Sequence, residues 1–130
     1  MRTLIVDDSP VMCMFVERAL RQAGIEISDA LHANNGNEAL EVLRDAVEPF
    51  DLIISDINMP GMDGLEFLEQ RRSQNLAPGV PIFIMTTESS PELVLRVMAA
   101  GARDYICKPL TGEQIRTRIV PLLAASTSFK

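Results

Sequence analysis

The chain of 130 residues is 47% apolar and 23% charged, the balance of a single globular domain long enough to bury a core. Its net charge of -6 leaves no basic stripe to neutralise phosphates, which argues against direct nucleic-acid binding. No stretch reads as a membrane span or a secretory signal, and two cysteines, Cys13 and Cys107, make neither a disulfide framework nor a zinc pattern, so a reducing cytoplasm is the expected compartment.

Leu4-Ile5-Val6 predicts a short buried strand ending on Asp7-Asp8. Ser9 then offers an N-cap and Pro10 suits the first helical position. The helix that follows places Val11, Met12, Phe15, Ala19, Leu20 and Ala23 at helical spacing and closes at Gly24. Ala30 to Ala33 reads as a weaker strand. Asn34-Asn35-Gly36 turns the chain into a second helix striped by Ala39, Leu40, Leu43 and Val47. Next comes the apolar run Leu52-Ile53-Ile54, the pattern of a strand buried on both faces, which ends on Asp56.

A loop dense in turn-formers, Asn58 to Gly64, leads into a third helix begun by Leu65, Phe67 and Leu68. Val80 to Met85 predicts a fourth strand, ending on Thr86-Thr87-Glu88. Ser90 and Pro91 start a fourth helix that Gly101 ends. A fifth strand, Asp104 to Cys107, delivers Lys108-Pro109. Thr111 and Gln114 form a capping box for the last helix, which carries Ile115, Ile119, Leu122 and Leu123. Pro121 lies inside this pattern and is expected to kink or stop the helix, because it removes a hydrogen bond and crowds the preceding turn. Residues 1–125 form the expected domain, and 126–130 a frayed tail.

Five strands alternating with five helices give an α/β domain with a mostly parallel sheet and, through right-handed crossovers, helices on both faces. In a parallel sheet the C-terminal strand ends share one edge, where open α/β folds bind their ligands. Asp7-Asp8, Asp56, Thr86 and Lys108 would therefore converge. Three carboxylates brought together repel one another, and a hard divalent cation relieves that repulsion. Lys108 adds a point charge and Thr86 a hydroxyl donor, both suited to an anion. The combined chemistry is a carboxylate nucleophile attacking phosphorus.

On these residues, together with Asn58-Met59-Pro60-Gly61-Met62-Asp63-Gly64, Gly101-Ala102, Tyr105 and Pro109, the chain resembles the receiver domains of two-component response regulators, most closely the single-domain chemotaxis (CheY-like) type. The resemblance spans almost the whole chain. It implies a flavodoxin-like, doubly wound sheet of order 2-1-3-4-5. It also implies that Asp56 accepts a phosphoryl group from a histidine kinase or phosphotransfer protein. Mg²⁺ (or Mn²⁺) would be held by Asp8, Asp56 and the Asn58 backbone carbonyl, with Asp7 acting through water. Lys108 would pair with Asp56, and Thr86 and Tyr105 would switch. Asn58 and Glu88 would tune dephosphorylation. A downstream effector would read the face of the fourth helix, fifth strand and last helix, and the protein would be a monomer or a phosphorylation-dependent dimer.

The residues themselves also point to that face. One stripe of the fourth helix, Leu93-Val97-Ala100, suffices for the core, which leaves Val94 and Met98 for an apolar patch beside Tyr105. Three positions depart from the family pattern: Thr87, where most receivers have Ala or Gly; Cys13, where many chemotaxis-type receivers carry arginine; and Pro121. Other readings remain open at this level. The chain could be a receiver from a larger regulator with a DNA-binding or enzymatic output, or a phosphorelay intermediate or phosphate sink. An aspartyl-phosphate phosphatase is a rival of a different class, but Asp56-Ile57-Asn58 breaks the Asp-x-Asp pattern it needs. No G-x-x-x-x-G-K-[ST] run supports a nucleotide hydrolase, and Asp7-Asp8 stands where a flavin-binding chain would place a phosphate-cradling loop. The expectation is a signalling module that catalyses only its own phosphorylation and dephosphorylation.

Overall fold

In the computed structural model, which describes residues 1–87 and 90–127, five strands alternate with five helices: β1 (Arg2–Val6), α1 (Pro10–Gln22), β2 (Asp29–Ala33), α2 (Gly36–Asp45), β3 (Leu52–Asp56), α3 (Gly64–Ser73), β4 (Ile82–Thr86), α4 (Pro91–Ala99), β5 (Asp104–Cys107) and a last helix, α5, over 112–127. All strand pairings are parallel, in the order β2-β1-β3-β4-β5. The expected architecture and strand order are therefore present. β3 is the middle strand, and every one of its residues is buried.

Alternation along the strands divides the core in two. Leu4, Val6, Ile53, Ile82 and Ile84 point to the face covered by α2, α3 and α4, where Leu40, Phe67 and Val97 pack. Ile5, Leu52, Ile54, Phe83 and Met85 point to the other face, against Cys13, Val16 and Leu20 of α1 and Ile115 and Ile119 of α5. At about 1.5–3 kcal/mol per fully buried large aliphatic side chain, both faces are needed to hold the sheet rigid under its polar edge.

The caps follow the sequence closely. Ser9, Asn35, Asp63, Ser90 and Thr111 each accept a backbone N–H of the following helix. The Thr111–Gln114 box is complete in both directions. Four details differ from the reading of the sequence. The α1 stripe that faces the core is Cys13-Val16-Leu20, whereas Val11 is 76% exposed and Met14 and Phe15 also face outward. Val47 does not extend the α2 stripe, because Ala46 leaves the helix in an extended conformation and Val47 is 97% exposed. β4 begins at Ile82, so Val80 precedes it.

Pro121, finally, does not stop α5. The turn Gly112–Gln114 runs into a π-helical stretch, Ile115–Ile119, and regular α-helix resumes over Val120–Thr127. The Val120 N–H bonds to the Ile115 carbonyl, five residues back. This wider turn moves the preceding carbonyls away from the proline ring, which is how a helix absorbs a residue that cannot donate. It also reverses the drift that residues four apart suffer at about 100° per residue. Ile115, Ile119 and Leu123 consequently all stay buried. Glu88 and residues 128–130 of the expected tail lie outside the described residues.

Candidate phosphoacceptor and acidic metal site

β1 and β3 are neighbours, with Val6 opposite Ser55, so Asp7 and Asp56 emerge side by side from the same edge of the sheet. Asp56 lies opposite Met85 and Thr86 opposite Cys107, which brings the ends of β4 and β5 to that edge as well. The Lys108 N–H bonds to the Thr86 carbonyl at 2.8 Å, fixing where the lysine departs. One carboxylate oxygen each from Asp7, Asp8 and Asp56 falls within a 4.8 Å cluster. Asp7 is 1% and Asp56 4% exposed, while Asp8 stands open to solvent.

Each buried carboxylate is held by backbone. Asp7 Oδ1 accepts the Ser9 N–H at 2.9 Å, and Asp56 Oδ1 accepts the Ile57 N–H at 2.9 Å. Their Oδ2 atoms share one cation: Lys108 Nζ lies 3.1 Å from Asp56 and 3.5 Å from Asp7. Burial pushes the Asp7 carboxyl above its ordinary range; the Asp56 charge adds to that, and the Ser9 N–H and Lys108 oppose it. One lysine between two buried carboxylates, with a third beside them, leaves the cluster under-neutralised.

That imbalance tests whether a cation fits. Asp7 Oδ2 is fully buried and accepts no hydrogen bond, so it is an oxygen with capacity to spare. An all-oxygen, carboxylate-rich cluster open on the Asp8 side suits a hard ion that retains waters, which is the preference of Mg²⁺. An acidic pocket suited to such an ion is thus present in this chain.

Thr86 is buried at the end of β4, and Thr87 beside it is exposed, as is Asn58 in the loop after β3. Cys13 lies in the core, its thiol directed at the carbonyls of Ile5 and Asp7. Burial, reinforced by the Asp7 charge, pushes that thiol up to about 11. Tyr105 is half-buried one strand away, with the Arg118 guanidinium 5.1 Å from its ring centre. On α4, Val94 is half-buried and Met98 41% exposed. The expected patch gains Leu95, 70% exposed, which the sequence stripe did not single out.

Three contributors have no side-chain signal in the sequence. The Ser9 and Ile57 amides act through backbone. Gly64 acts through what it lacks: a Cβ there would sit 2.3 Å from the Asp56 carbonyl oxygen. Its N–H instead bonds to the Ile57 carbonyl at 2.9 Å, folding the 57–63 loop back under β3. Gly36 anchors the same loop through Met62, whose carbonyl accepts its N–H at 3.1 Å.

Comparison with known proteins agrees with this geometry. The family model of the response regulator receiver domain matches residues 3–120. The chemotaxis protein CheY1 of Helicobacter pylori is 35% identical over 126 residues, which cover 97% of this chain and 99% of that protein. The transcriptional regulatory protein ZraR of Klebsiella oxytoca is 37% identical over 121 residues, 93% of this chain but only 26% of that protein. The chain thus spans about a quarter of one relative and nearly all of the other. Among solved structures, the chemotaxis response regulator CheY4 of Vibrio cholerae superposes with a TM-score of 0.77 at 36% identity, covering 96% of this chain and 97% of that one.

Proposed function

The chain belongs to the response regulator receiver domain family, and we propose on that premise that Asp56 is its phosphoacceptor, taking a phosphoryl group from a histidine kinase or phosphotransfer protein. The observation that carries this reading is the Lys108 Nζ contact to Asp56 Oδ2, 3.1 Å, beside the Asp7–Asp8 pair. A carboxylate oxygen of Asp56 attacks phosphorus, the P–N bond of the donor phosphohistidine breaks, and the imidazole leaves with that electron pair and takes up a proton. Lys108 then moves its contact from the carboxylate to the phosphoryl oxygens, and Thr86 donates its hydroxyl to them.

Asp7, Asp8, Asp56 and the Asn58 backbone carbonyl would hold Mg²⁺ or Mn²⁺, which supplies neutralisation of charge on the transferring group. Ser9 and Ile57, through their N–H groups, keep the two buried carboxylates aimed. The donor must approach over the rim that carries Asp8, and the exposed Val11, Met14 and Phe15 on α1 offer apolar surface next to it. Asn58 and Glu88 tune the lifetime of the phosphorylated form. Chemistry on external substrates is not part of the role: the protein catalyses only its own phosphorylation and dephosphorylation.

Output follows from a shift between two arrangements of Thr86 and Tyr105, read by an effector on α4, β5 and α5 at Val94, Met98 and Tyr105. The near-complete mutual coverage with CheY1 supports a stand-alone, chemotaxis-like role in the cytoplasm; among the described residues no helix is long and apolar enough to cross a membrane. The partial coverage of ZraR supports a second reading, a receiver within a larger regulator, and the intact mass of the full gene product separates the two.

The test of the site is incubation with acetyl phosphate and Mg²⁺, read by intact mass. Wild type gains one phosphoryl group, and the gain disappears with chelator or in Asp56→Asn. Labelling that persists in Asp56→Asn overturns the assignment.

A further inference from the structure

On the opposite side of the domain from α1, a groove of about 430 Å³ runs between α3 and α4. Its floor is apolar, formed by Leu65, Ala99 and Ala100, and Arg72 and Arg96 flank it. Arg71 stands beside them. The terminal nitrogens of Arg71 and Arg72 converge over Gly101, 3.0 and 2.8 Å from where its Cβ would be; the open space above this glycine admits both.

Among the described residues, none of these three guanidinium groups makes an ion pair or hydrogen bond. Arg71 Nε is fully buried without a partner. Burial, and after it the Arg72 charge, draw the Arg71 guanidinium below its usual range. Glu69 also lines the groove and pairs with neither Arg72 nor Arg96. In a chain of net charge -6, three unpaired arginines around an apolar floor form a local field opposite to that of the whole.

Their bland role is to favour the C-terminal ends of α3 and α4, whose last turns they occupy. One arginine per helix serves that purpose. It does not require two guanidinium groups to converge on one point, or a buried Nε to remain unbonded. Arginine at such a place recognises carboxylates through its forked N–H groups.

We propose that the α3–α4 groove docks an acidic segment of a partner protein, its carboxylates on Arg71, Arg72 and Arg96 and an apolar side chain on Leu65, Ala99 and Ala100. The surface is separate from the Val94–Met98–Tyr105 face and includes no residue of the Asp56 site. A segment bound there lies against the last turn of α4, so it would stabilise one position of that helix.

The test uses the full chain and a fluorescein-labelled peptide of alternating glutamate and leucine, followed by anisotropy at low salt, with a lysine–leucine peptide as control. The glutamate peptide binds and the lysine peptide does not. The double variant Arg72→Gln, Arg96→Gln weakens binding about tenfold, equivalent to roughly 1.4 kcal/mol, whereas Arg18→Gln, Arg116→Gln on the α1–α5 side leaves it unchanged. Binding falls as salt is raised. Asp56→Asn binds as wild type does, so failure of the phosphoacceptor assignment and failure of this docking site register separately. Equal losses in both double variants, or no loss in the first, overturn the proposal. Displacement by inorganic pyrophosphate at the peptide's own affinity also overturns it, because the occupant would then be a small polyanion.

Discussion

Replacing Asp7 by Asn removes one charge from the acidic cluster with almost no change of shape, and the Asn oxygen can still accept the Ser9 N–H now bonded to Asp7 Oδ1. At an effective dielectric of about 20, the Lys108 contact at 3.5 Å contributes about 5 kcal/mol of attraction to Asp7, while the Asp56 carboxylate within 4.8 Å contributes at least about 3.5 kcal/mol of repulsion. Burial of the charge costs several kcal/mol more, and burial is the leading reason that the Asp7 carboxyl titrates high. The net expectation is that Asp7→Asn is more stable than wild type by about 1–3 kcal/mol in chelator at neutral pH, a rise of roughly 3–9 °C in Tm for a domain of this size.

The sign of the pH dependence follows from the raised carboxyl. Below the unfolded-state value near 3.8, Asp7 is protonated in both states and costs nothing. The cost appears as pH rises through the folded-state value and is complete above it, so the stability gap between variant and wild type should open with rising pH. Adding Mg²⁺ at ten times its dissociation constant should return about 1.4 kcal/mol to wild type and much less to the variant. Thermal melts in EDTA and in Mg²⁺, at pH 4 and pH 7.5, measure all four quantities. A variant less stable than wild type in EDTA at pH 7.5, or equally stabilised by Mg²⁺, would refute this electrostatic account.

Gly64→Ala should destabilise the domain by about 3 kcal/mol in urea titration, because the new methyl must displace the backbone at Asp56 rather than a flexible side chain; a loss below 1 kcal/mol would contradict the close approach. Ser9→Ala should cost about 1 kcal/mol through loss of the cap on the Met12 N–H, with labelling by acetyl phosphate retained because Asp7 is held by the Ser9 backbone. Abolished labelling in a folded Ser9→Ala protein would show that the hydroxyl does more. Iodoacetamide at pH 7.5 should modify half-exposed Cys107 well before buried Cys13, whose thiol is held near 11; peptide mass mapping reads the order.

Where the sequence spoke through period and punctuation, it spoke clearly. Strands β1, β3 and β4 are apolar runs bounded by charge or turn residues, and the caps at Ser9, Ser90 and Thr111 fixed three of the helix starts; that Asn35 and Asp63 also cap is visible only in the structure. Rotation about a helix axis was harder to read. α1 is apolar at every position from Val11 to Val16, so more than one stripe has helical spacing. Only contact with the sheet decides that Cys13, Val16 and Leu20 turn inward and Val11, Met14 and Phe15 do not. The π-helical turn is a similar case: Pro121 signals a disturbance, but whether it breaks the helix or widens it depends on the burial of Ile115, Ile119 and Leu123 together.

The site divides along the same line. Its charged members could be placed together from sequence because a parallel sheet gathers the ends of all its strands on one edge, so Asp7, Asp56, Thr86 and Lys108 needed only the strand assignments. The energetics could not be read that way. That Lys108 serves Asp7 as well as Asp56, and that Asp7 Oδ2 has no hydrogen bond, depend on distances that no spacing encodes. These details set the chemistry: a lysine shared by two carboxylates can be drawn to a third anion at less cost than one committed to a single ion pair. A phosphoryl group on Asp56 is such an anion. Under the proposed function it would turn an attraction divided between two carboxylates into one concentrated on Asp56, and that redistribution would supply free energy for a response of Thr86, buried one strand away at the same edge.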